Sequence, residues 1–132
     1  MILIHADPRL VRLEETFSRL NEVTVPLVYT GFITPAPAAD ARQRLRTALG
    51  LTAADRLIVV SAGGGSVGMT LLEAAVRAAR SLKRARKTLL QVFTGPFLPE
   101  RDFEQLTRAA GAGTVVERFT SDFLSYLAAA DL

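Results

Sequence analysis

Apolar residues along this chain fall into two kinds of run: short unbroken blocks and longer stretches with a helical period. The clearest pair is LIVVSA at Leu57–Ala62 and, after GGGSVG, the stretch MTLLEAAVRAARSL. An unbroken block rich in β-branched residues predicts a strand covered on both faces, and the stretch after it predicts an amphipathic helix from about Val67 to Leu82. A second strand is predicted over Thr88–Thr94, ending at Gly95-Pro96, followed by a helix over Glu100–Ala110 with Phe103, Leu106 and Ala110 on one face. A third strand, Thr114–Phe119, precedes Thr120 and Ser121, either of which could N-cap a helix through Ala130. Strand and helix in alternation predict an α/β fold, a Rossmann-like parallel sheet with flanking helices.

The first third of the chain is less regular. Met1–His5 reads as a short buried strand, broken at Asp7-Pro8. Leu10, Leu13, Phe17 and Leu20 have helical spacing and predict a helix over Leu10–Leu20. Val23–Tyr29 predicts a strand, with Pro26 placing it at an edge or an irregular point. Thr30–Asp40 carries two prolines and no periodicity, as a linker would. Asp40 reads as the N-cap of a helix through Leu49, ended by Gly50. The resulting organisation is a tail of a preceding domain over 1–33, a linker over 34–40 and the first half of a further domain over 41–132. Asp131-Leu132 stands where the next strand would begin, so the chain reads as a fragment or a truncated product.

Composition narrows the function classes. The 132 residues are 49% apolar and 22% charged, which excludes disorder. No apolar run reaches the roughly 18 residues that span a bilayer, and the opening MILIH is too short for a signal-peptide core. The absence of cysteine removes disulfides and thiolate metal sites and fits a cytoplasmic protein; one histidine, His5, rules out a histidine-based metal cluster. Arg77, Arg80, Lys83, Arg84, Arg86 and Lys87 supply six of the sixteen basic residues. With no aromatic among them, they read as a solvated helix end, favoured by the helix dipole, and not as a nucleic-acid surface; an anionic membrane surface is the other partner they suit.

Gly63-Gly64-Gly65-Ser66-Val67-Gly68 fits G-x-G-x-x-G between a strand and a helix. Glycines permit positive φ and let backbone N–H groups approach an anion, and the helix start adds about half a unit of positive charge. A phosphate or pyrophosphate is the ligand this pattern suits; the alternative is a tight turn that binds nothing. Met69 stands where a P-loop needs lysine, which argues against an NTPase. No carboxylate follows the second strand at Phe93-Thr94-Gly95 to hold a ribose diol, and no arginine to hold a 2′-phosphate, which weakens an NAD(P)-binding oxidoreductase.

The triple glycine and serine, with TGFI upstream and VVERFTSDFLSYLAAADL downstream, resemble the C-terminal half of two-domain (GT-B) glycosyltransferases. The similarity is to the transferase that adds N-acetylglucosamine to the lipid-linked peptidoglycan precursor and to predicted glycosyltransferases like it. ILIHADPRLVRLEETF resembles the closing part of their N-terminal domain, with Ala6 where glycine is expected. The resemblance implies that Gly63, Gly64, Gly65, Ser66 and Gly68 lie against the diphosphate of a nucleotide-sugar donor, most naturally a UDP-sugar. It implies that backbone groups of Arg118, Phe119 and Thr120 receive the nucleobase. It implies transfer to an unknown acceptor without metal or cofactor, and a carboxylate for the donor ribose in residues following AADL, so this chain alone should be inactive. A non-catalytic nucleotide-binding module is the competing class.

Single residues carry further expectations. Ser66 either donates to a phosphate or N-caps the helix. His5 with Asp7 is the candidate acid/base pair, against a purely structural histidine. Thr70, Glu14 and Glu15 read as solvated, Phe119 as a core side chain, and Tyr126 and Leu127 as packing inward. A half-sheet with an unpaired edge also invites self-association.

Overall fold

The chain divides between Ala36 and Pro37, inside the proline-containing Thr30–Asp40 segment, into two compact units. The structure, a computed structural model, describes residues 1–82 and 87–132; Lys83, Arg84 and Arg86 of the basic run lie outside the described residues.

In Met1–Ala36, β1 (Ile2–Ile4) runs parallel to β2 (Leu27–Tyr29), with Ile2 opposite Leu27. The Ile2 N–H donates to the Pro26 carbonyl at 2.8 Å and the Thr30 N–H to the Ile4 carbonyl at 2.9 Å. The second strand is shorter than Val23–Tyr29, because Pro26 has no N–H to give and the Val23 N–H closes a turn onto Leu20. The helix expected over Leu10–Leu20 does not form. Two single 3₁₀ turns, Leu13–Glu15 and Leu20–Glu22, stand in its place. The physical reason is twofold. The Leu13 N–H, which would make the first intrahelical bond to the Arg9 carbonyl, is taken by the Tyr29 hydroxyl at 2.8 Å. The apolar stripe also has nothing to bury against: Leu10 is 71% and Phe17 43% exposed. β1 likewise leaves Ile2 and Leu3 exposed where a buried strand was expected.

Pro37–Leu132 follows the predicted alternation closely. Its elements are α1 (Ala41–Ala48), β3 (Arg56–Ser61), α2 (Met69–Ser81), β4 (Thr88–Phe93), α3 (Glu100–Ala109), β5 (Thr114–Glu117) and α4 (Phe123–Ala129). The strands form one parallel sheet in the order β3-β4-β5, with Ile58 opposite Leu90 and Leu90 opposite Thr114. Alternating side chains build two cores. On one face Leu90 and Val92 meet Leu72 and Val76 of α2 and Leu106 of α3. On the other, Leu57 and Leu51 meet Ala129 of α4. This mixed α/β, Rossmann-like arrangement puts the three loops that follow the strands at one edge of the sheet. Among the described residues no helix is long and apolar enough to cross a membrane.

One cap falls on the expected residue and one does not. Asp40 sits at the N-cap of α1, but its side chain makes no capping bond and pairs with Arg44 at 3.2 Å. Asp122, in place of Thr120 or Ser121, occupies the N-cap position of α4 and accepts a hydrogen bond from the Ser125 hydroxyl. Leu127 on α4 is 50% exposed, so it does not pack inward, whereas Tyr126 is half-buried against Phe93.

The outer edge of β3 receives Asp131-Leu132: the Asp131 N–H donates to the Leu57 carbonyl (2.8 Å) and the Val59 N–H to the Leu132 carbonyl (2.9 Å). The Asp131 carboxylate in turn accepts from the Leu57 N–H at 2.9 Å, Arg42 Nη2 at 2.7 Å and Arg46 Nη1 at 2.9 Å. Those three bonds, the backbone N–H first, hold its carboxyl far below the ordinary 3.8. A folded value below the unfolded one gives stability that is present above about pH 4 and lost as the pH falls toward the folded value. Asp131→Asn should therefore cost about 2 kcal/mol at pH 7, at the low end for breaking a partly buried pair because the site is partly solvated. Urea titrations between pH 7 and pH 2 should show the gap between the two proteins narrowing below pH 4; a gap independent of pH contradicts this account.

Candidate functional site

The glycine-rich loop leaves β3 at Ala62 and enters α2 at Met69. Gly63, Gly65 and Gly68 have φ of 61°, 87° and 112°, a region in which side chains are strained. Gly68, and not Ser66, takes the N-cap position of α2; its left-handed φ suits glycine and leaves Ser66 exposed in the loop. Thr70 is exposed in the first turn, as expected.

Gly64 and Gly65 answer to another loop, whereas a Cβ on Gly68 would lie 2.9 Å from the Ala62 Cβ. A Cβ on Gly65 would lie 2.3 Å from the Thr94 carbonyl oxygen, and one on Gly95 2.3 Å from that of Gly63. The Phe97 N–H donates to the Gly64 carbonyl at 2.9 Å, and the Phe97 ring lies against Gly64. The loop after β4 therefore interlocks with the glycine loop, a partnership of which Gly95-Pro96 in the sequence signals only a turn. Gly63 is different, since a Cβ there meets nothing within 4 Å.

The loop's own amides are partly used. The Gly63 N–H donates to Ser61 Oγ (3.2 Å) and the Gly65 N–H to the Ala62 carbonyl (3.2 Å). The N–H groups of Gly64 and Ser66, both on exposed residues, remain available at the positive end of α2.

Beside this loop a cleft of about 180 Å³ is lined by Ser61, Gly63, Phe93, Gly95, Arg118, Phe119, Thr120 and Phe123. One predicted diphosphate residue, Gly63, thus meets all three predicted nucleobase residues, whereas Gly64, Gly65, Ser66 and Gly68 lie outside the lining. The Arg118 side chain has partners of its own. Its guanidinium donates to the Leu98 carbonyl (2.8 Å) and Glu100 (2.7 Å), and lies 4.2 Å from the centre of the Phe103 ring. Phe119, expected in the core, is 71% exposed, because it follows the end of β5 and projects at the rim. Phe93 forms the floor, edge-on to Phe123 at 5.5 Å and to Tyr126 at 4.9 Å. Burial, then Glu117 and Asp122, push the Tyr126 hydroxyl pKa upward. An opening this small, walled by three phenylalanines, suits one flat ring of a larger ligand, since whole small-molecule sites run to roughly 300–1,000 Å³. Sequence reasoning did not include Ser61, Phe93 and Phe123; alternation on β3 and β4 sends Ser61 and Phe93 to the same sheet face, which was the available signal.

The acid/base pair does not assemble. His5 Nδ1 lies 3.3 Å from Thr30 Oγ1, and Nε2 accepts the Ile33 N–H at 3.3 Å. Asp7 is paired with Arg9 at 2.6 Å, which holds its carboxyl below the usual range. Each has its own structural partner, and no bond joins the two among the described residues. Among those residues no three His, Asp or Glu side chains gather in a way that could hold a metal ion.

No family model matches the chain, and no curated protein or solved structure shows significant similarity to it.

The interlocked loops rank the glycine substitutions. Gly95→Ala and Gly65→Ala each add positive-φ strain of about 1–2 kcal/mol to a backbone overlap and should destabilise by about 3 kcal/mol or more. Gly63→Ala carries the strain alone, about 1 kcal/mol. Chemical denaturation of the three variants checks the order; equal losses are incompatible with it.

Proposed function

We propose that Pro37–Leu132 carries part of the donor site of a GT-B-type glycosyltransferase. The glycine loop takes the diphosphate of a UDP-type sugar nucleotide, and the Arg118–Thr120 turn takes the base. The observation that carries this reading is that Gly63 and Arg118, Phe119 and Thr120 line one cleft, beside the start of α2 and at the edge of the sheet where strand-following loops converge. In this reading the exposed amides of Gly64 and Ser66 are the phosphate donors, and the helix N-terminus stabilises the departing diphosphate without requiring a metal. The base is met by main-chain groups at Phe119 and Thr120, since the Arg118 guanidinium is engaged with Glu100 of α3 and the Leu98 carbonyl. Donor binding is the activity proposed.

A second reading, a structural turn that binds no nucleotide, draws support from the interlock, because packing against Thr94 and Gly95 by itself accounts for Gly65. Titrating ¹⁵N-labelled protein with UDP and with uridine separates the two. UDP is expected to shift the amides of Gly64 and Ser66 together with Phe119 and Thr120, and uridine only the latter pair. The donor reading fails if no amide from Gly63 to Gly68 moves with UDP.

A further inference from the structure

Away from the cleft, the most heavily hydrogen-bonded side chains in Pro37–Leu132 are two arginines one turn apart on α1. Arg46 is buried, its side chain 9% exposed. Its Nη2 donates to the Thr52 and Asp55 carbonyls, both at 2.7 Å, and its Nη1 to the Ala129 carbonyl at 3.2 Å and to Asp131 Oδ2 at 2.9 Å. Arg42 Nη1 reaches the last carbonyls of α4, those of Ala128 (3.3 Å), Ala129 (2.9 Å) and Ala130 (3.0 Å), and its Nη2 reaches Asp131 Oδ1 at 2.7 Å. Main-chain carbonyls thus fix the direction of both guanidinium groups without help from the Asp131 side chain. The Leu57 N–H, on the open edge of β3, supplies a third donor to the same carboxylate.

Three donors oriented independently of the anion they hold make a preorganised site. If the Asp131 side chain were removed, the backbone bonds of Asp131 and Leu132 to β3 would still hold the segment in place. The nearly buried Arg46 guanidinium, the half-exposed Arg42 guanidinium and the Leu57 N–H would then face a vacated, partly solvated volume of carboxylate size, an arrangement that favours an incoming anion. We propose that Arg42, Arg46 and the Leu57 N–H form a carboxylate-binding cage whose resident ligand is Asp131, and that a small free monocarboxylate occupies it when that side chain is absent. The resident carboxylate then works as an internal ligand that fastens α4 to α1 and β3. The inference is independent of the glycosyltransferase reading, since no cleft residue takes part.

Formate is the probe, tested on the full chain by thermal unfolding of the wild type, Asp131→Ala and Asp131→Asn, against sodium chloride at equal ionic strength. In chloride both variants should melt below the wild type. In formate, Asp131→Ala should recover by about 5 °C or more, with a saturating dependence on formate concentration. The wild type and Asp131→Asn, whose cages are filled by a carboxylate and an amide, should gain no more from formate than from chloride. Adding Arg46→Met to Asp131→Ala should abolish the recovery. Should Asp131→Ala be unfolded in chloride, formate is expected to restore its circular dichroism. A chain unfolded in both salts, a formate gain equal in all three proteins, or no gain at all overturns the cage.

Discussion

A guanidinium almost wholly withdrawn from water governs how Pro37–Leu132 closes. Arg46 is carried into the layer beneath α4 by the apolar side of α1, and a charge in that position is tolerated only if its N–H groups are satisfied. It meets the carbonyls of the Thr52–Asp55 turn, the end of α4 and the Asp131 carboxylate. Those partners lie on two stretches of chain, the Thr52–Asp55 turn and Ala129–Asp131, so one side chain on α1 sets the mutual placement of α1, the turn into β3 and the exit from α4. Coulomb attraction matters less here than the cost of leaving any of these groups unpaired.

At the opposite end of the strands the constraint is steric. Two loops approach closely enough that neither Gly65 nor Gly95 has room for a methyl group. The conformation of the glycine loop is therefore fixed by β4 as much as by β3, and a cleft wall built on one strand is held by its neighbour. Aromatic packing completes that wall: Phe93 on the sheet supports Phe123 at the start of α4, whose far end is the one fastened by Arg42. Core, cleft and helix cap are consecutive parts of a single packed path.

Leu57–Ala62 and Thr88–Thr94 were legible because a parallel strand covered on both faces is largely apolar, a local signal, whereas the edge strand in Thr114–Phe119 alternates half-buried and exposed positions. Their helices were legible for the same reason, each having a sheet to pack on. Leu10–Leu20 shows the converse. Its spacing was helical, yet a period only selects a helix when a surface exists for the stripe to cover. Hydrophobicity likewise suggested that Phe119 lies inside, but position past the end of β5 decided otherwise. The glycine loop was visible as a motif, while the reason for its glycines lay some thirty residues away in Gly95. Arg46 and Asp131 are 85 residues apart and carried no local sign of their pairing. Long-range polar contacts of this kind are set by the assembled fold and leave no periodicity to read.

Met1–Ala36 contains no buried residue. Its two short parallel strands and two 3₁₀ turns are held by hydrogen bonds that water can reach, whereas the other unit has dry cores on both faces of its sheet. Within Met1–Ala36, where no dry core lies behind the strands, amides of β1 and β2 are expected to exchange through local opening.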